Sequence, residues 1–314
     1  MARRALGPAT REVVQAVEAV AHGPIMVACS GGPDSLALAA AAVVVGTRTG
    51  LGVRAAIVDH GLQAGSADVA ARVEAMLAGL GLDAVVLPVV IDPAGVGIEA
   101  AARRARYAAL AAEAAAGEVV LLGHTLDDQA ETVLLGLARG SGTRSLAGMP
   151  PRRDVFVRPL LAVRAETTRA ACAELGLTAW TDPHNEEPRF TRTRVRHRVL
   201  PVLEAELGPG VALALARSAE LARADADLLD DLAASELAAH NAEELDCDWL
   251  AGLPRALLAR VLRDWLRAQG AFDLSAAGIA AVAALVTDWH GQRWVEVPGA
   301  RVGREAGRLG VRRG

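Results

Sequence analysis

The 314-residue chain contains no lysine, and all 33 of its basic residues are arginine. That absence excludes the Walker phosphate loop, whose Gly-Lys-Ser/Thr places a lysine directly after its glycines. GC-rich coding accounts for arginine in lysine's place. There are three cysteines, Cys29, Cys172 and Cys247, far apart and forming no Cys-x-x-Cys pair. That excludes a disulfide framework and gives no zinc or iron–sulfur ligand spacing. Aromatic residues are 3% of the chain, so the core must be built from Ala, Val and Leu. The N-terminus lacks the apolar core of a signal peptide. No unbroken apolar run reaches membrane length. The expectation is a cytoplasmic protein with no membrane partner. A net charge of −4 argues against indiscriminate nucleic-acid binding but leaves room for a local basic patch. Oligomeric state is not readable, and a homodimer stays open.

What is present is an ordered alternation. At 52% hydrophobic residues the length has room for two domains. A helix is predicted over 10–22, then a strand from Pro24 to Cys29 and a helix over 34–46. A second strand, Val53 to Val58, ends in Asp59-His60-Gly61. Helix 66–80, strand Asp83 to Val90 and helix 98–116 follow. Strand Glu118 to Leu122 ends in Gly123-His124, before helix 126–138. Strands alternating with helices make an α/β domain with a parallel sheet covered on both faces. Ligands of such sheets sit at the carboxyl ends of the strands, where the Ser30 turn, His60 and His124 all lie. A Gly, Pro and Arg-rich stretch over 139–165 carries a short strand at Val155–Val157, and helix 166–175 follows. From about residue 200 long Ala/Leu helices take over, at 211–240, 254–269 and 275–287, and 291–312 reads as a β-hairpin. The division is 1–205 for the α/β domain and 206–314 for a smaller, mainly helical domain. Trp249, Trp265, Trp289 and Trp294 are expected to pack that second domain.

The most informative string is Cys29-Ser30-Gly31-Gly32-Pro33-Asp34-Ser35, between the first strand and its helix. Glycines let the backbone approach a ligand that a Cβ would push away. The first helical N–H groups have no internal partner, and with the helix dipole they favour an anion such as phosphate. Ser30 and Ser35 add hydroxyls. Asp34 would repel phosphate unless a metal sits between them, which makes it the candidate Mg²⁺ ligand beside a nucleotide. Ser and Asp also cap ordinary helices. The complete string after a strand points instead to phosphate.

Three further clusters stand out. His124, Asp127, Asp128 and Glu131 fall at helical offsets 0, 3, 4 and 7, on one face. Their repulsion calls for a cation, Mg²⁺ or a substrate ammonium. Thr125-x-x-Asp128 is also a capping box, which leaves His124 and Glu131 unexplained. Arg103 and Arg106, one turn apart after Glu99, could reach a triphosphate whose transition state gains negative charge. Arg189, Arg192, Arg194, Arg196, His197 and Arg198 crowd ten residues, downstream of Asp182 to Asn185. That density suits phosphate-backbone contact, with Phe190 and Trp180 available to stack on a base. His22, His240 and His290 have no evident partners.

The Ser30–Ser35 string resembles the PP-loop of ATP pyrophosphatases, which cleave ATP between the α and β phosphates. With Asp59-His60-Gly61-Leu62, the Glu99–Tyr107 stretch, Gly123 to Thr132, Arg158-Pro159-Leu160-Leu161 and Arg194 to His197, the chain resembles the tRNA(Ile)-lysidine synthase family over residues 24–200. The resemblance implies an adenine nucleotide alpha hydrolase-like fold. It implies adenylation of the wobble cytidine of a CAU-anticodon tRNA(Ile), then displacement of AMP by free L-lysine. ATP and Mg²⁺ are the implied cofactors. By motif position, Ser30, Gly31, Gly32, Pro33, Asp34 and Ser35 hold pyrophosphate and metal. Val58 and His60 border the adenine. Arg103 and His124 lie near the phosphates and the reacting oxygen, and Asp128 and Glu131 near the lysine ammonium. Arg189, Arg192, Arg194, Arg196 and His197 contact tRNA.

Gln63 stands where the family carries arginine, and Thr193 where it carries asparagine. The chain also resembles the family's short form. A thiolating PP-loop enzyme would need paired cysteines, which are missing. Other PP-loop tRNA-modifying enzymes and a non-catalytic ATP-dependent RNA-binding protein are the remaining alternatives.

Overall fold

The computed structural model describes residues 6–61, 65–92, 97–140, 142–180, 189–240 and 243–312. Leu62, Gln63 and residues 182–185, singled out above, lie outside them. The helices in chain order are α1 Pro8–Glu18, α2 Pro33–Thr49, α3 Ser66–Gly79, α4 Ile98–Glu113, α5 Leu126–Ala138 and α6 Thr143–Leu146, then α7 Ala165–Leu175, α8 Thr191–Arg194, α9 Leu200–Leu207, α10 Val211–Ala238, α11 Cys247–Gly252, α12 Arg255–Ala268 and α13 Ala276–Thr287. The strands are β1 Ile25–Ala28, β2 Val53–Asp59, β3 Ala84–Pro88, β4 Val119–Leu122, β5 Arg152–Arg153 and β6 Phe156–Val157, then β7 Leu245–Asp246, β8 Val295–Val297, β9 Ala300–Glu305 and β10 Arg308–Arg312. They form two compact units, residues 1–140 with 148–219 and residues 141–147 with 220–314. No single described helix is long and apolar enough to cross a membrane.

The first unit is built on a six-stranded sheet in the order β3-β2-β1-β4-β6-β5. All neighbours are parallel except β5, which returns antiparallel along β6. The chain lays down β1, β2 and β3 outward in one direction, then crosses back to place β4 on the other side of β1. The strand order therefore reverses between β1 and β4, the position at which α/β sheets bind ligands. Ile25, Met26 and Val27 are wholly buried at the centre.

Helix α2 is buried along most of its length, from Ser35 through Ala42 and again at Val45 and Gly46. Its run of alanines is what a helix covered on nearly every side requires. It ends at Gly50, whose φ of 75° closes the helix in the left-handed region. Helix α1 and helix α7 pack on it. The scarcity of aromatics is thus matched by close helix–sheet contact through small side chains. The predicted helix boundaries shift by up to four residues at fraying ends, as 98–116 becoming Ile98–Glu113 shows.

The second unit pairs α12 and α13 with a four-stranded antiparallel sheet in the order β7-β10-β9-β8. The expected terminal hairpin is its centre, β9–β10. It turns at Ala306 and Gly307, with φ of 48° and 78°, the double positive φ of a type I′ turn. Trp265, Leu262 and Val302 are wholly buried in its core.

Candidate active site

The loop after β1 is shaped by one glycine and opened by the other. Gly31 has φ of 84°, and a Cβ there would lie 2.5 Å from Val73 Cγ2. Gly32 has an ordinary extended backbone. A Cβ on it would meet nothing closer than Ser30 Oγ at 3.7 Å, so that side of the turn is open space. The Ser35 hydroxyl accepts from Ser30 N–H at 3.2 Å and donates to the Gly32 carbonyl at 3.0 Å. The hydroxyl expected to face a ligand therefore closes the turn from inside. The Trp180 N–H donates to the Gly31 carbonyl at 2.9 Å. That residue, read above as a base-stacking candidate, pins the loop through its backbone.

Gly123, at the end of β4, closes the other side of the switch point. A Cβ there would lie 3.1 Å from both Asp34 C and Ser35 N. Any larger residue would have to push the first turn of α2 back by a few tenths of an ångström.

Asp34 sits at that first turn, within hydrogen-bond reach of the buried Thr168 hydroxyl. Burial pushes its carboxyl up from 3.8 to about 6, with repulsion from Asp128 adding to the shift and the Thr168 hydrogen bond opposing it. A carboxylate held this high beside the glycine turn gains from a cation. Among the described residues no three His, Cys, Asp or Glu side chains gather as a metal cage. One carboxylate completed by substrate phosphates and water is the set that Mg²⁺ prefers. The residues present therefore fit the metal as an ion shared with a nucleotide.

His124 and the start of α5 face the same corner. Burial holds the His124 imidazole down at about 3, despite the nearby Asp128. It is a neutral ring, and its Nδ1 is buried without a hydrogen-bond partner among the described residues. Thr125 caps α5. Its N–H and hydroxyl donate to Asp128 Oδ2 at 2.8 and 2.9 Å, and Asp128 N–H returns to Thr125 Oγ1 at 3.5 Å. Asp127, predicted to share the carboxylate face, instead accepts from Ala165 N–H at 2.7 Å and pairs with Arg164 at 3.0 Å. It serves the start of α7.

The cation that the acidic cluster called for comes from the protein. Glu131 is wholly buried. It receives Arg192 Nε at 2.7 Å and Arg196 Nε at 2.5 Å. Asp128 Oδ1 receives Arg192 at 3.1 Å and Arg196 at 2.9 Å. Burial pulls the Asp128 carboxyl up, but Arg192, the Thr125 N–H and Arg196 together hold it below its ordinary value. The five residues predicted to contact RNA therefore divide. Arg192 and Arg196 turn inward. His197 is exposed, as is the neighbouring Arg198. Arg189 lies over the Phe190 ring at 4.7 Å, and Arg194 donates to the Arg189 carbonyl at 2.9 Å.

Comparison with known proteins matches this architecture. The PP-loop domain family fits residues 7–203, and the TilS substrate binding domain family fits residues 245–310. The chain is 53% identical over 287 residues to the tRNA(Ile)-lysidine synthase of Thermobifida fusca, covering 89% of this chain and 88% of that one. It is 55% identical over 278 residues to that of Mycobacterium tuberculosis, covering 86% and 83%.

The chain belongs to the tRNA(Ile)-lysidine synthase family.

A solved U34-tRNA thiolase from Methanococcus maripaludis shares the fold, with a TM-score of 0.54 at 17% identity, covering 68% of this chain and 78% of that one. In this member of the lysidine synthase family, a cationic corner adjoins His124 that the sequence marked only in part. Tyr107 Oη receives Arg158 at 3.0 Å and Arg103 at 3.3 Å. The Arg103 and Arg106 guanidiniums lie 4.9 and 5.5 Å from its ring centroid. Arg158 is 4% exposed, and among the described residues its Nε has no hydrogen-bond partner, nor do Arg106 Nε and His60 Nδ1. Burial, with Arg106 nearby, keeps the His60 imidazole below its ordinary value. Val58 is half-buried against the apolar cluster that includes Met26 and Leu122. Arg158 was visible as part of a motif but without a role, and Thr168 gave no signal at all.

In the second unit the tryptophans do not all pack the core. Trp265 is wholly buried, but Trp289 and Trp294 are 46% and 37% exposed. Arg304 and Arg312 lie over their rings at 4.9 and 4.7 Å. Trp294, Arg304 and Arg312 border an open cavity of about 730 Å³. His240, expected to be partnerless, stacks on Trp249 at 3.7 Å, and His290 pairs with Asp288 at 2.8 Å.

Proposed function

We propose that the chain is an ATP-dependent ligase that joins free L-lysine to the wobble cytidine of CAU-anticodon tRNA(Ile), releasing pyrophosphate and AMP. The observation that carries this reading is the meeting, at one switch point, of the glycine cradle with Asp34 and the buried pair Asp128 and Glu131. It occurs in a chain 53% identical to a lysidine synthase.

The cradle formed by Gly31, Gly32 and the first turn of α2 takes the phosphates of ATP through backbone N–H groups. Asp34 would hold Mg²⁺, which supplies charge neutralisation to the polyphosphate. The cytidine carbonyl oxygen attacks the α-phosphorus and pyrophosphate leaves. A lysine amine then attacks base carbon 2. The new C–N bond forms, the C–O bond to AMP breaks, and the amine gives up a proton. Asp128 or Glu131 orients the amino acid and one of them takes that proton. Neutral His124 and the arginines around Tyr107 face the charge that develops on the phosphates.

The test is pyrophosphate release from ATP with CAU-anticodon tRNA(Ile), with and without lysine, followed by mass analysis of the wobble nucleoside. A lysine-sized mass gain only when lysine is present supports the reading. Release with a different acceptor would keep the PP-loop and change the substrate. Absence of release with any acceptor would refute the assignment.

A further inference from the structure

The subsite assigned above to the lysine ammonium is already full. Glu131 has both oxygens taken by guanidiniums, and Asp128 has one oxygen taken by guanidiniums and the other by the cap of α5. A third cation would meet two others across the same two carboxylates. The two sides of this contact are unequal. The Glu131 side chain is 0% exposed and sits in the middle of α5, whereas those of Arg192 and Arg196 are 34% and 41% exposed. The arginines reach in from the surface, so they are the partners that can leave.

The element that carries them is unusual. After the short α8, residues Val195–Val199 form a π-helical turn, a rare geometry that is frequent at functional sites. From the same turn His197 and Arg198 face solvent. One short segment thus presents charge in both directions, inward to carboxylates and outward to whatever approaches.

We propose that Arg192 and Arg196 keep the amino-acid subsite closed, and that RNA backbone phosphates open it by taking over their charge. The proposal rests on the reading of Asp128 and Glu131 as lysine ligands. Guanidiniums bind phosphate and carboxylate with the same bidentate geometry, so they exchange one for the other without loss of hydrogen bonds. Lysine then binds weakly to the free chain and tightly once the tRNA is seated. That order keeps the amino acid's own carboxylate away from ATP until the cytidine oxygen is in place. Arg192 and Arg196 are positioning residues here, since they act through the two carboxylates.

The experiment is equilibrium dialysis of radiolabelled lysine against the full chain, without ATP, in the presence and absence of a CAU anticodon stem-loop RNA. Wild-type protein is expected to bind lysine about tenfold or more tighter with the RNA, within the usual range of coupling between sites. The Arg192→Gln, Arg196→Gln double variant is expected to bind lysine tightly without RNA and to gain less than about twofold on its addition. Equal lysine affinity of the wild type with and without RNA overturns the proposal. So does a folded, ATP-binding double variant that still needs RNA. If the double variant does not fold, Arg192→Gln alone must give an RNA-free affinity between the two, and an unchanged affinity refutes the idea. Glu131→Gln separates the underlying reading. Undiminished lysine binding by that variant with RNA present removes the lysine subsite itself, whatever the arginines do.

Discussion

Replacing Asp34 by asparagine should stabilise the ligand-free protein while abolishing its chemistry. The folded state holds this carboxyl at about 6 against an ordinary 3.8, chiefly through burial. Near pH 4 and below, the group is largely protonated in the folded chain and costs little. As pH rises from about 4 through 6 the unfolded chain sheds this proton while the folded chain still holds it, so the unfolded state gains until both are ionised. Above pH 7 the cost reaches about 3 kcal/mol, at 1.36 kcal/mol per unit. Asparagine keeps the shape and still accepts from Thr168 Oγ1, so little packing is lost. Urea unfolding followed by circular dichroism, in EDTA and without nucleotide, should show Asp34→Asn more stable by about 2–3 kcal/mol at pH 8. At pH 4 the two proteins should nearly coincide. Pyrophosphate release by the variant should be undetectable at either pH. Stability gained where activity is lost is what a residue retained for function produces. A variant equal to or less stable than wild type at pH 8 would refute the reasoning, because the buried charge would then cost nothing.

Four further outcomes follow from the same geometry. Gly31→Ala should destabilise the chain by about 2 kcal/mol or more, through positive φ and the clash with Val73. Gly32→Ala should leave stability within about 1 kcal/mol, typical of a site with open space, yet weaken ATP binding. ATP binding unchanged in Gly32→Ala, measured by calorimetry, would mean the cradle faces elsewhere. Glu131→Gln should raise the lysine KM at least about tenfold while moving the ATP KM far less, as loss of one charged contact predicts. Equal changes in both constants would count against the subsite. Tyr107→Phe should keep the ring against Phe156 but remove the acceptor of Arg158 and Arg103. The expected cost is about 1–3 kcal/mol of stability for stranding a buried donor, with slower adenylation in single-turnover assays.

The sheet, its order of elements and the glycine turn after β1 were legible because they rest on local signals. Apolar strands ending in Gly31, His60 and His124 declare where carboxyl ends lie, and a parallel sheet brings such ends together. The capping box at Thr125 was legible for the same reason, being a four-residue pattern. What sequence spacing could not show was tertiary pairing. Asp127 and Asp128 are neighbours in sequence, yet one caps α7 and the other meets Arg192 and Arg196. The basic run over 189–198 read as a single surface because period and composition do not reveal which arginines turn inward. Thr168 stayed invisible because a lone threonine on an amphipathic helix carries no signal until Asp34 is placed beside it. The exposed Trp289 and Trp294 were misplaced by the ordinary preference of tryptophan for the interior, against which arginine stacking competes.

Tyr107 is the chain's one tyrosine, and three arginines surround it. Burial raises its phenol, but Arg103, Arg158 and Arg106 outweigh burial and hold it below its ordinary value. When a phenol ionises its ultraviolet band moves to longer wavelength, and tryptophan does not titrate in this way. Every such absorbance change in this molecule therefore originates in one corner of the catalytic unit. An anion arriving beside those arginines would weaken their pull and shift the titration upward. The chain thus carries a built-in optical electrometer for the corner formed by Arg103, Arg106 and Arg158, usable without label, mutation or turnover.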